Sequence, residues 1–104
     1  MIPAPVFLLT IISGLAMSQG VWAADAAQGG VLAKRWCAAC HVVAADQQLA
    51  GVQAPPFSVI GKSANLDSSK LALFLLSPHP KMPDMSLSRA EAADLAAYIQ
   101  SQGK

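Results

Sequence analysis

Cysteine is scarce in this chain of 104 residues: there are two, Cys37 and Cys40, and no second pair with which to build a four-thiolate zinc site. Charge is scarce too. Seven Lys and Arg and six Asp and Glu are scattered without a block of either sign, which removes the usual basis for binding nucleic acid or an acidic polymer. No period-two alternation marks a strand, and no internal repeat or low-complexity linker follows residue 24. The apolar run at residues 6–17 (VFLLTIISGLAM) falls short of the about 20 residues that cross a bilayer comfortably.

That short run has the length of a signal-peptide core. Val21-Trp22-Ala23 after it matches the small-x-small cleavage pattern, so a cut is expected after Ala23, with Ala24 as the second choice. The five residues ahead of the run contain no Lys or Arg. Either the amino terminus alone supplies the leader's positive charge, or the true start lies elsewhere. An uncleaved anchor is the bland alternative, disfavoured by the shortness of the run. The expected division is residues 1–23 as a cleaved signal peptide and residues 24–104 as one small domain, with no membrane span after cleavage. Roughly eighty residues bury too little apolar surface to be secure alone, and domains of that size usually need a covalent or metal staple.

The residues present point to such a staple at Cys37-Ala38-Ala39-Cys40-His41. Two thiols three residues apart project from one face of a helical turn, where each can add to a vinyl group of one porphyrin, and the adjacent imidazole reaches the iron. Cys-x-x-Cys alone also serves disulfide exchange and zinc binding, and export by itself favours a disulfide. The following histidine turns the motif toward one covalently bound haem c, because a zinc site here would need both His41 and His79. An apolar disc at the centre makes cofactor and fold depend on each other.

Around the motif the chain reads as helices and stiff loops. Residues 25–36 (DAAQGGVLAKRW) form a first helix capped by Asp25, in which Gly29 and Gly30 each cost about 1 kcal/mol relative to alanine. Close approach of another backbone would explain them. Residues 42–54 read as a loop, and Pro55-Pro56-Phe57 after it is extended, its carbonyls free to accept from an axial histidine's second nitrogen. A short helix is expected over residues 58–62, ending at Gly61. Asn65, Asp67 and Ser68 can cap an apolar helix over residues 70–76, which is expected to be largely buried. Pro78, Pro80 and Pro83 stiffen the next loop, and Ser88-x-x-Glu91 opens a last helix running to about Gln102, with Leu95, Tyr98 and Ile99 on one face.

Haem iron with one histidine stays open and reactive or takes a second protein ligand and moves electrons. Met82, inside the proline-stiffened loop, offers a soft thioether that raises the potential. Met85 is the alternative three residues on, and His79 is a third.

With Gly29 ahead of the motif, Pro55 after a loop, Met82-Pro83, and Leu95-x-x-Tyr98 in the final helix, nearly all of residues 24–104 resembles the class I cytochromes c, specifically the small monohaem proteins of the bacterial periplasm. The resemblance implies an all-α fold of short helices wrapped around one covalently attached haem, the N- and C-terminal helices crossing. It also implies that Cys37 and Cys40 carry the thioethers and that His41 and Met82 are axial. The carbonyl of Pro55 would accept from His41, and Gly29 would pack near Leu95 and Tyr98. One departure is Ala33, four before Cys37, where the family often has an aromatic residue. The crossing contact is then smaller, or Trp36 or Tyr98 fills it.

The function expected is a periplasmic one-electron carrier, not an enzyme, that meets redox partner proteins as a monomer or docked to a larger oxidoreductase. The alternatives are an electron-entry subunit of a periplasmic oxidoreductase, a haem peroxidase or ligand sensor with an open iron site, and, on Cys-x-x-Cys alone, a thiol-disulfide oxidoreductase.

Overall fold

Four helices follow one another in the computed structural model, which describes residues 2–5, 14, 23–47, 54–63, 66–77 and 80–104. They are α1 (Ala26–Trp36), α2 (Phe57–Gly61), α3 (Ser68–Leu76) and α4 (Arg89–Ser101), and no strand occurs among the described residues. The apolar run at residues 6–17 apart from Gly14, Val21 and Trp22 of the expected cleavage pattern, residues 48–53, Ala64, Asn65, Pro78 and His79 lie outside the described residues.

Each longer helix starts where a capping side chain stands. Asp25 accepts from the N–H groups of Ala27 and Gln28, and Asp67 from those of Ser69 and Lys70, satisfying donors the first turn leaves over. At α4 the box is complete: the Glu91 N–H donates to Ser88 Oγ at 3.1 Å and the Ser88 N–H to Glu91 Oε1 at 3.0 Å. The hydrogen bond from the Ser88 backbone, then that from its hydroxyl, holds the Glu91 carboxyl below its ordinary value of 4.5. A lowered folded-state value means stability that is present above about pH 4.5 and is lost as pH falls through the folded value. In Glu91→Gln, whose amide oxygen still accepts but does not titrate, melting temperature should fall less steeply than in wild type on acidification below that pH. Parallel acid melts of the two proteins would count against this role for the carboxylate.

α4 is the hub, packing against α1, α2 and α3. Its Ala92, Leu95, Ala96 and Ile99 are buried, the alanines letting neighbours approach and Leu95 filling the centre. A Cβ on Gly29 would overlap the Asp94 carbonyl and sit 2.7 Å from Tyr98 Cβ, so the backbones of α1 and α4 are in contact there. The nearest atoms belong to Asp94 and to the expected Tyr98, and the neighbouring Leu95 lies fully buried in the core. The Asp25 N–H clasps the same junction, donating to Asp94 Oδ1 at 2.7 Å. Of the two residues named as possible fillers near Ala33, Tyr98 lies at the crossing of α1 and α4. Its ring edge lies against Gly30, whereas Trp36 is half-buried beside the Arg35 guanidinium, 5.1 Å from its ring centre.

At the far end of α4, Gly61 and Gly103 touch: a Cβ on Gly61 would lie 2.6 Å from the Gly103 nitrogen. Read from the sequence, Gly61 is only a helix stop. One expectation needs correction. The apolar helix over residues 70–76 is not largely buried: Leu75 is buried, but Leu73 is 67% and Phe74 45% exposed. α3 is a single short helix on the outside of α4, so residues on one face reach the core while those on the opposite face meet solvent.

Candidate functional site

α1 ends by bringing its last turn to the wall of a cleft. The Cys37 N–H still donates to the Ala33 carbonyl at 2.8 Å, and the N–H groups of Cys40 and His41 both turn back to the Cys37 carbonyl, at 3.1 and 2.9 Å. This tight turn places Cys37, Cys40 and His41 together on a cleft of about 500 Å³. Pro55 and Phe57 form the wall beside His41, α3 contributes Leu71, Phe74 and Leu75, and the proline-stiffened loop contributes Met82 and Met85. Every candidate ligand and attachment residue that lies among the described residues therefore faces one cavity. His79 lies outside them.

The imidazole is held firmly. His41 Nδ1 lies 2.6 Å from the Pro55 carbonyl oxygen, which can only accept, so Nδ1 is the donor and Nε2 is the ring nitrogen left to bind a metal. Phe57 packs on the ring with centroids 5.3 Å apart, and its N–H donates to the Val42 carbonyl at 2.9 Å, tying the Pro55–Phe57 segment to the residue after the motif. Proline at 55 and 56 leaves the carbonyl of 55 in a fixed extended backbone with few conformations to lose.

The two thiols differ. Cys37 is buried and Cys40 exposed, and both are free. Burial pushes the Cys37 thiol up to about 11. Disulfide exchange requires the opposite, a thiolate stabilised near neutral pH, so Cys37 is poorly suited to the oxidoreductase alternative. Among the described residues no three His, Cys, Asp or Glu side chains converge as a metal-binding group.

The two methionines also differ. Met85 is 6% exposed and belongs to the core with Phe57, Leu75 and Leu95, whereas Met82 is only partly buried at its margin. Between Met85 and α4 the chain reverses at Ser86, which takes a left-handed φ of 48° and donates its N–H to Asp84 Oδ1 at 2.9 Å.

Sequence reasoning missed two tethers. Gln47, in the stretch read only as loop, places its side chain across the attachment turn, accepting from the Val43 N–H and donating to the carbonyls of Ala38 and His41. Tyr98 donates its hydroxyl to the Val43 carbonyl at 2.6 Å, reaching 55 residues back along the chain. Burial, and secondarily the charge of Asp46, push the Tyr98 hydroxyl up, which keeps it a donor. No local pattern marks either contact.

An all-helical chain with two thiols, an imidazole and thioethers around a largely apolar cleft has the donor chemistry and the room of a c-type haem protein. The chain belongs to the cytochrome c family: the profile described as Cytochrome c matches residues 26–103. A curated relative, cytochrome c-552 of Bradyrhizobium diazoefficiens, is 50% identical over 91 residues, covering 88% of this chain and 88% of that protein. No solved structure matches. The protein is thus a monohaem c-type electron-transfer protein, not an enzyme, with covalently bound haem c as its cofactor and redox proteins as its partners. The group fits the residues present: soft sulfur and imidazole donors stand on the cleft wall, and apart from Lys81 the rest of the lining is apolar.

Proposed function

We propose that this chain is a periplasmic one-electron carrier with histidine and methionine on the iron. In this reading Cys37 and Cys40 hold haem c through thioethers, His41 and Met82 are the axial ligands, and the Pro55 carbonyl fixes the histidine. The observation that carries the proposal is the 2.6 Å contact of His41 Nδ1 with Pro55 O, which leaves Nε2 the basic nitrogen on a cleft that Met82 also lines. When bound, the haem supplies one-electron cycling between ferric and ferrous iron. The protein's part is to keep both ligands in place, so that little geometry changes between the two states, and to surround the site with apolar side chains that lower the local dielectric and disfavour the ferric charge. Met85, already engaged in core packing, is the alternative ligand.

The leader completes the proposal. Residues 1–23 direct export and are removed, leaving residues 24–104 as the cytochrome c domain. Ala23 and Ala24 are exposed and precede α1 without belonging to it, so cleavage there leaves the Asp25 cap intact. No described helix is long and apolar enough to cross a membrane.

Protein matured in a bacterial periplasm is expected to start at Ala24 by mass, to give six-coordinate low-spin spectra in both oxidation states, and to resist carbon monoxide. Rapid binding of carbon monoxide by the ferrous form would replace this reading with the open-site peroxidase or sensor. The exposed Leu73 on α3, which does not line the cleft, favours one further reading, the electron-entry subunit held in a larger oxidoreductase. Monomeric elution of the native protein from periplasm would dismiss it.

A further inference from the structure

The segment between the attachment motif and Pro55 contains a residue whose side chain acts on the turn itself. Gln47 Nε2 donates to the Ala38 carbonyl at 3.0 Å and to the His41 carbonyl at 2.9 Å, while Oε1 accepts the Val43 N–H at 2.8 Å. Both protons of one amide are thus committed to backbone carbonyls on either side of Cys40. The Gln47 N–H donates to the Ala44 carbonyl at 3.1 Å, so the side chain projects from a closed turn and not from a loose loop. Val43 is fully buried, and its own carbonyl takes the Tyr98 hydroxyl, which anchors the bracket to α4.

We propose that Gln47 is a positioning residue for the iron's histidine: its carboxamide clamps the Ala38–Val43 backbone and thereby holds the His41 imidazole on the Pro55 carbonyl. The inference rests on the reading of His41 as the axial ligand. Its physical basis is that His41 is gripped at two points, its carbonyl by Gln47 and its ring by Pro55. Releasing the first lets the backbone drift and lengthens the second, because the strength of a hydrogen bond falls quickly with distance and angle. A ring N–H well bonded to an acceptor makes the histidine a more basic ligand, which favours ferric iron. A slackened bond therefore raises the reduction potential.

The test compares two variants of the mature holoprotein. Gln47→Met keeps side-chain length and neutrality but removes both donors and the acceptor. Ser88→Ala weakens the cap of α4 away from the turn and serves as the control for lost stability alone. Gln47→Met is expected to shift the midpoint potential upward and to move the hyperfine-shifted proton resonances of the His41 ring, while Ser88→Ala lowers the melting temperature and leaves both unchanged. A Gln47→Met protein that melts earlier with the potential and the resonances of wild type would overturn the proposal, leaving Gln47 a purely structural tether. Should that variant fail to mature, hydrogen exchange on wild type decides. The Val43 amide should exchange at least about tenfold more slowly than an unbonded amide, and exchange at the unprotected rate would overturn the clamp. Absence of hyperfine-shifted His41 resonances from wild type itself would instead remove His41 as ligand, a failure of the parent reading that no Gln47 variant can mimic.

Discussion

Met82→Ala is expected to abolish the absorption band that the family resemblance ties to methionine on ferric haem, and to lower the potential. A neutral thioether favours ferrous iron, so its loss should lower the potential by on the order of 0.1 V or more, within the roughly 0.8 V range that axial ligands span. Stability should suffer less, because Met82 is only partly buried at the core's margin. Met85→Ala should do the reverse. Truncating a methionine that is 6% exposed leaves a cavity and costs about 2–5 kcal/mol, while the band persists. Spectra, potentials and melts of the two variants check the assignment together, and a band that survives Met82→Ala but vanishes in Met85→Ala would transfer the ligand role to Met85.

Gly29→Ala is expected to be strongly damaging. The new Cβ would overlap the Asp94 carbonyl and lie 2.7 Å from Tyr98 Cβ. Backbone cannot rotate aside as a side-chain tip can, so α1 and α4 must separate along the junction that Asp25 and Asp94 clasp. Overpacking of this kind costs about 1–3 kcal/mol or more, against about 1 kcal/mol gained from alanine's better helix propensity. A net loss of about 1–2 kcal/mol, toward the upper end because the clash is with backbone, lowers the melting temperature of a domain this size by about 4–16 °C. Gly30→Ala is the comparison: its Cβ would meet the edge of the Tyr98 side-chain ring at 3.0 Å and no backbone, so a smaller shift suffices and the loss should be smaller. Equal melting of Gly29→Ala and wild type would show that the two helices do not meet as closely as drawn.

Much of this arrangement is legible in the chain because it depends on near neighbours. Asp25, Asp67 and the Ser88–Glu91 box sit within a turn of the donors they satisfy, so helix starts follow from spacing alone. The same holds for Cys37, Cys40 and His41, which one turn brings together, and for Pro55, whose fixed φ leaves an oriented carbonyl. Gly29 and Gly30 betray a close contact because nothing else explains two glycines inside a helix, though the nearest backbone, that of Asp94, was not legible. What composition could not give was exposure. The run over residues 70–76 is apolar all round, yet its burial depends on how many neighbours surround α3, and Leu73 has a face without one.

By itself, then, the sequence determined the helix starts, the attachment turn and the set of residues able to hold a haem, since these rest on bonds and angles local to the chain. Only the tertiary structure decided that Met82 and Met85 reach the same cleft as His41, that Tyr98 covers the small residue at 30, and that Gly61 meets Gly103. It alone placed the Gln47 amide across the attachment turn and the Tyr98 hydroxyl on the Val43 carbonyl. The reason is physical. A polar side chain in a loop has no periodicity to betray its partner, and whether it clamps a turn or meets water is settled by the backbone that packing brings within about 3 Å of it.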